Sequence, residues 1–393
     1  MKTKWFLYAF LSTLLILLLF AGIFSYFKTY SNPAQVDVFV GVDAANDGVE
    51  DIKRRVDEVK SYTNFFVIGS TGITFNITRL NDVSQYVYDS GLNFMVYTHA
   101  IPNSTWQAQW VSDARQRWSP RFMGLYAYDE PGGIQVDRYE YNNMSFMVVQ
   151  EASNYTDAAN KYVENLKARF LDEIRVGWNV GDFPLITSDY ALYDFDYKAG
   201  YDVILAQFGW NHSRPLNVAL CRGAATARNK DWGVVITYTY HTPPYIESGP
   251  ELYNDMVTAY RNGAKYIVVF DYAKDYAKNV SYGILQQEHF EALKQFWQYI
   301  KDNPRTSETV DDRVAYVLPK DYGYGFRGPN DTIWGLWEAD NLSSKIWSDV
   351  NALVEQYKPI MDIIYEDDLQ SVMSEYSKLI FWNGTTITNR ATT

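Results

Sequence analysis

One cysteine, Cys221, stands among 393 residues, so no intrachain disulfide can form and the core must carry stability. We expect its thiol to pack as a small apolar group rather than act as a nucleophile. There are only 4 histidines, with no H-x-H or H-E-x-x-H spacing, and no cysteine pair, so neither a metal site nor a resident cofactor is expected. Basic residues are outnumbered, 35 Lys and Arg against 47 Asp and Glu, and never gather into a block. The resulting net charge of −12 argues against nucleic acid and anionic lipid surfaces as partners and is compatible with neutral polar ligands. No Walker loop, no G-x-G-x-x-G after a strand and no G-x-S-x-G elbow is present, which removes the usual footholds of nucleotide-dependent and serine-hydrolase chemistry.

What is abundant is apolar and aromatic side chain, 47% and 17% of the chain. That suffices for one large core and a smaller one. The boundaries read as 1–30 for an N-terminal segment, 31–303 for the large domain and 304–393 for the appendage. From Trp5 to Phe27 the first segment is almost wholly apolar, with Lys2 and Lys4 before it and Lys28 after it. At ~1.5 Å per residue this run can cross a hydrocarbon layer of ~30 Å. It exceeds the usual signal-peptide core and has no clear cleavage site, so an uncleaved transmembrane anchor is expected, with secretion as the alternative if it is removed. The leading lysines hold the N-terminus in the cytoplasm and put the remaining chain outside the cell membrane. Glycosylation sequons point the same way: Asn76, Asn103, Asn143, Asn154, Asn211, Asn279, Asn330, Asn341 and Asn383 each precede Ser or Thr by two positions. This is about three times the number expected from the Ser and Thr content.

Beyond the anchor, short strand-like runs alternate with longer helix-like runs, the pattern of repeated βα units around a parallel sheet. The predicted strands are Val36 to Val42, Asn64 to Gly69, Asn93 to His99, Phe122 to Tyr128, Ile174 to Asn179, Asp202 to Phe208, Gly233 to Tyr240 and Lys265 to Asp271. Eight such units make a (β/α)8 TIM barrel; an open doubly wound sheet is the alternative. In the fifth unit Leu185 to Ser188 competes for the strand. Helix starts are signalled at Asp47 with Glu50 and at Ser248 with Glu251, both at capping-box spacing. The run Gln286 to Lys301, apolar at helical spacing, is the eighth helix. After a polar link, Val314 to Leu318, Asp362 to Tyr365 and Lys378 to Trp382 as strands, with helices near Ser344 to Tyr357 and Asp368 to Tyr376, form a small α/β unit.

Barrel chemistry sits at the C-terminal ends of the strands. Those ends offer Asp43, Ser70, His99, Asp129 with Glu130, Asn179, Phe208 to Asn211 with Trp210 among them, Tyr240 with His241, and Asp271. The fourth strand runs Tyr126-Ala127-Tyr128-Asp129-Glu130-Pro131-Gly132-Gly133. Strand side chains alternate, so both acids can enter one pocket only if the strand breaks there, as Pro131 suggests. This stretch resembles the TIM-barrel glycoside hydrolases, many of which carry a proton-donating Glu at the end of the fourth strand, often as Asn-Glu-Pro. The resemblance implies Glu130 as general acid/base, with Asp129 departing from the pattern. A nucleophilic Glu would end the seventh strand, where this chain has Tyr240-His241-Thr242-Pro243 instead. The second carboxylate is then Asp271, Asp129, Glu247 or Asp43, in that order. The tail, with Ile-Phe-Trp-Asn-Gly at 380 to 384, resembles a reduced glutamine-amidotransferase-like domain of β-galactosidase-type glycosidases. Aromatic strand ends, with Tyr128, Trp210, Tyr240 and Tyr272 foremost, suit stacking on a sugar; with Asp43, His99, His241 and Glu247 they are the candidate substrate-binding set. His99, His241, Asp129 and Asp271 could line one rim as metal ligands, the rival reading. The expectation is a membrane-anchored, extracellular glycoside hydrolase-like enzyme acting on a carbohydrate; the alternative is a non-catalytic glycan-binding surface barrel.

Overall fold

The structure is a computed structural model and describes residues 37–101, 105–137, 147–272, 283–305 and 312–389. Strands β1 (Phe39–Ala44), β2 (Phe65–Ile68), β3 (Asn93–Thr98), β4 (Phe122–Ala127), β5 (Leu185–Asp189), β6 (Val203–Phe208), β7 (Asp231–Ile236) and β8 (Tyr266–Asp271) pair in chain order into a closed barrel. All pairs are parallel, and β8 returns to β1 with Phe39 opposite Tyr266 and Ala44 opposite Asp271. Alternation along each strand sorts the side chains into two cores. Phe65, Val67, Met95, Tyr126, Ile186, Leu205, Val235 and Val268 fill the barrel interior. Val40, Val42, Phe66, Val96, Ile204, Val234 and Val269 face outward into the larger core under the helices.

The fifth strand is Leu185–Asp189, and the segment first expected there is helical instead. Lys167–Leu171 and Glu173–Gly177 form π-helical turns that continue the helix Tyr155–Leu166. Ile174 is buried but Val176 is 75% exposed, so that short apolar run lacks the continuous burial a barrel strand needs. Ser248 and Glu251 form the expected cap, the carboxylate accepting from the Ser248 amide and hydroxyl at 2.9 and 2.7 Å. Asp47 and Glu50 do not: the helix Val49–Val59 starts from Gly48, and Asp47 accepts from the Ser70 hydroxyl. The eighth helix spans Gln287–Asp302.

The tail forms a second, four-stranded sheet in the order β10 (Met361–Tyr365), β9 (Val314–Leu318), β11 (Lys378–Phe381), β12 (Thr386–Thr388). It packs on the barrel helix Arg214–Arg228 through ion pairs of Arg222 with Asp362 at 2.7 Å and Arg228 with Asp368 at 2.6 Å. Among the described residues no helix is long and apolar enough to cross a membrane. The predicted span Trp5 to Phe27 lies outside the described residues. So do the sequon positions Asn103, Asn143 and Asn279, whereas Asn76, Asn154, Asn211, Asn330, Asn341 and Asn383 are all exposed.

Candidate active site

A chamber of about 420 Å³ opens at the C-terminal mouth of the barrel. Its carboxyls are Asp43 from β1 and Asp129 and Glu130 from the end of β4, with Asp47 at the edge. The strand does break at β4, through the backbone: Tyr128 and Glu130 sit at φ 58° and 55°. A left-handed residue costs roughly 1–2 kcal/mol, so two bracketing one aspartate is a strained arrangement the surroundings must hold. The break turns Tyr128 out of the barrel, where its ring stacks on Phe170 at 3.8 Å. Asp129 and Glu130 both enter the chamber as a result. Tyr128, expected to bind substrate, therefore belongs to the outer core.

Asp189, at the end of β5, fixes this corner. Its carboxylate accepts the amides of Gly132, Gly133, Tyr190 and Ala191 at 2.6, 2.8, 2.7 and 3.1 Å, so β5 anchors the turn that carries Glu130. Burial pushes Asp189 up to about 6 in spite of those bonds. Asp196, buried beside it, is pushed well above the carboxylate range, chiefly by burial and then by the Asp189 charge.

Inside the chamber Asp129 accepts from the Tyr126 hydroxyl and from Ser188 Oγ at 2.8 Å. Gln207 Nε2 bridges Glu130 Oε1 at 2.5 Å and Ser188 Oγ at 3.0 Å. Burial, with the neighbouring Asp129 charge second, raises Glu130 to about 8. Asp129 is raised by burial, opposed by the hydroxyls of Tyr126 and Ser188. Asp43 is 4% exposed and pushed well above its usual range, by burial first and then by the charges of Asp129 and Asp271. Its Oδ1 has no hydrogen-bond partner among the described residues. Gly69 makes room for it, since a Cβ there would lie 1.9 Å from that oxygen. Tyr97, Tyr126, Tyr238, Phe270 and Tyr272 wall the space. Burial thus favours the protonated forms of Glu130 and Asp43, whereas the Tyr126 and Ser188 hydroxyls oppose that shift at Asp129.

The other expected site residues divide into rim, outer cleft and interior. Asp271, ranked first as the second carboxylate, points outward from β8 and is fully buried. It pairs with Arg55 at 2.7 Å and accepts the amides of Ile284 and Leu285 at 2.8 and 3.1 Å. The alternation that puts Phe270 in the chamber puts Asp271 behind the wall. Glu247 is also buried behind it, paired with Arg214 at 3.1 Å and raised to about 8 by burial and by Asp255. His99 stands exposed at the rim, edge-on to Phe75 at 4.5 Å. Tyr240 is 43% exposed in the loop after β7. Trp210 and His241 lie tilted against each other, ring centroids 4.5 Å apart, in an outer cleft that Glu130 also lines. His99, His241, Asp129 and Asp271 thus do not converge, and the metal rim considered from sequence is not assembled. Asn179 is exposed and far in sequence from the true end of β5. Sequence reasoning missed Tyr97, Ser188, Gln207, Thr237 and Phe270. The available signal was parity: Tyr97, Ser188, Gln207 and Phe270 lie at inward positions one residue before the end of their strands, and Thr237 continues the inward parity of Val235 just past the end of β7.

A closed ring of eight parallel strands with its titratable groups at the C-terminal mouth is the TIM-barrel architecture. Among solved structures the chain is similar to GH5_18 from Streptomyces cattleya in complex with GlcNAc, with a TM-score of 0.54 at 10% identity, covering 88% of this chain and 99% of that one. It is similar to the β-galactosidase from Bacillus circulans sp. alkalophilus, with a TM-score of 0.55 at 11% identity, covering 88% and 67%. The β-galactosidase from the psychrophilic Marinomonas ef1 gives 0.52 at 9%, covering 88% and 72%. The fold is thus that of TIM-barrel glycoside hydrolases, in line with the Asp-Glu-Pro resemblance. No protein-family model matches the chain, and no curated protein matches it in sequence.

Proposed function

We propose that this chain is a glycoside hydrolase-like enzyme that acts on a carbohydrate in the barrel chamber, tethered by its N-terminal segment and facing the outside of the cell. The observation that carries the proposal is Glu130, an acid raised to about 8 beside the carboxylate Asp129 at the mouth of the barrel. Glycoside cleavage needs a carboxyl that is still protonated near neutral pH to give its proton to the leaving oxygen. Glu130 fits that role. Asp129, the chamber carboxylate stabilised by two hydroxyls, offers negative charge to the developing oxocarbenium ion. Asp43, whose buried Oδ1 has no partner among the described residues, hydrogen-bonds a sugar hydroxyl. Tyrosine rings supply apolar faces for the ring carbons. The sequon asparagines that are exposed on the folded surface and the apolar run Trp5 to Phe27 support the external, anchored reading.

The test is hydrolysis of a panel of aryl glycosides and cell-surface polysaccharides by the full chain in detergent, compared with Glu130→Gln. Sugar release should fall by about 10²–10⁴-fold in the variant, with folding kept. In the unaltered chain kcat/KM should fall about tenfold per pH unit above about 8, as Glu130 ionises. Undiminished release in Glu130→Gln sinks the assignment. A second reading, a glycan-binding barrel without turnover, draws on the end of β7, where Thr237, the residue after the strand, meets the chamber in place of a carboxylate. Binding of the panel by both proteins with hydrolysis by neither would select it. Anchoring is checked by fractionation: the chain should sediment with membranes and carry sugar at Asn76 and Asn341.

A further inference from the structure

We propose that the C-terminal unit completes a second sugar site, an outer cleft that holds the leaving-group side of a neutral oligosaccharide; the leaving-group role rests on the hydrolase reading above. Glu130 lines two cavities, the chamber and this cleft of about 360 Å³. A general acid must reach the bond it cleaves, so a Glu shared by two cavities places that bond between two bound sugar units. One side of the cleft is aromatic: Trp210, at φ 47° after β6, lies against His241 from the β7 loop, rings 4.5 Å apart and tilted by 33°. An indole face is a platform for a pyranose ring. Thr239, in the same cleft, has a buried hydroxyl with no hydrogen-bond partner among the described residues, which a sugar hydroxyl would satisfy.

Arg327 of the C-terminal unit also lines the cleft. Its Nε and Nη2 donate to the Asp331 carboxylate at 2.9 and 2.6 Å, and Nη2 also donates to the Val136 carbonyl at 3.1 Å. It is further paired with Asp137, which also accepts from the Tyr190 hydroxyl. One guanidinium thus faces two carboxylates. A uronic acid or a phosphorylated sugar would meet excess negative charge, whereas a neutral hexose or N-acetylhexosamine would not. The chamber takes one sugar unit and the cleft takes the next.

The experiment uses the full chain, made in a host that does not N-glycosylate so that Asn211, which lines the cleft, carries no sugar of its own. Calorimetry measures affinity for neutral disaccharides, lactose, chitobiose and β-mannobiose, and for the monosaccharide at the non-reducing end of each. It is run on the unaltered chain, Trp210→Ala, Trp210→Phe and Arg327→Met, with melting curves to confirm folding and hydrolysis followed separately. The ratio of disaccharide to monosaccharide affinity should fall about tenfold in Trp210→Ala and in Arg327→Met and be largely kept in Trp210→Phe. A ratio unchanged in Trp210→Ala or in Arg327→Met, or no binding of any probe by the unaltered chain, overturns the proposal. A lowered ratio in a chain that hydrolyses nothing supports the site and counts against the hydrolase reading.

Discussion

Two carboxyls at strand ends, Asp271 and Glu130, differ by which way the chain points them. Asp271 continues the alternation of β8, falls on the outward side and meets Arg55; both side chains are 1% exposed or less. Glu130 follows a left-handed break and falls inside. The two substitutions should therefore fail in opposite ways. Removing one partner of a buried pair costs about 3–5 kcal/mol, so Asp271→Asn should lower the melting temperature by several degrees while the surviving protein keeps its turnover. Glu130→Gln replaces a neutral carboxyl by a neutral amide and should melt within a degree or two of the parent with its turnover lost. Thermal melts beside initial rates decide it. Near-normal stability with abolished turnover in Asp271→Asn would return that residue to the site.

The helix Pro131–Val136 connects the acid to the second unit. Glu130 is its N-cap, Asp189 holds its first amides, and its far end is gripped by the C-terminal loop. Fully buried Gln135 donates to the carbonyls of Trp334 and Val149 at 2.8 and 3.0 Å and accepts the Val149 amide at 2.8 Å. Gly335 comes so close that a Cβ there would lie 1.9 Å from the Gln135 carbonyl oxygen. Gln135→Leu strands those backbone groups at about 1–3 kcal/mol each, and loosens the helix that aims Glu130. Its expected signature is a lower melting point together with a fall in kcat larger than the change in KM. Unchanged kcat in folded variant would separate the clamp from the acid. None of this was legible in sequence, because Gln135 and Trp334 lie 199 residues apart and neither position carries a local pattern. What was legible is local. Seven of the eight strands follow from apolar runs bounded by turns, and the entry of both Asp129 and Glu130 into one pocket from the break at Pro131; the choice of Glu130 as the acid came from the Asp-Glu-Pro resemblance. The fifth strand was misplaced because Leu185–Asp189 looks half polar: Ser188 faces the chamber and Asp189 grips four amides, so function and anchoring erased its apolar signature. Mistaking that strand cost the site both residues.

Over the whole molecule several of the most deeply buried carboxyls are shifted upward, and that sets how stability responds to pH. Glu130 and Glu247 are raised to about 8, Asp368 to about 7 and Asp189 to about 6, each with burial as the first cause. A carboxyl raised on folding is protonated in the native state over a range where the unfolded chain has already lost its proton. The native state then binds more protons, and unfolding free energy falls as pH rises through that range. For these groups the window runs from about 4, where unfolded carboxyls ionise, to about 8. Asp202 and Asp340 are lowered instead, the first mainly through Lys230, the Leu185 amide and Arg175, the second mainly through the Tyr322 hydroxyl, and their contribution is lost only on acidification below the ordinary carboxylate range. The formal net charge of −12, which counts every acid as ionised, is approached as the raised acids lose their protons, and the self-repulsion grows with it. Stability should therefore peak on the acidic side, near pH ~5, and decline steadily to pH ~8.5. Melting temperatures taken across that interval at constant ionic strength read the slope directly. Glu247→Gln, which removes a raised acid away from the chamber, should flatten the slope between pH ~6 and ~8 without moving the alkaline limb of activity. A melting temperature that rises toward pH ~8 would mean that the buried acids are paired with cations in the native state rather than protonated.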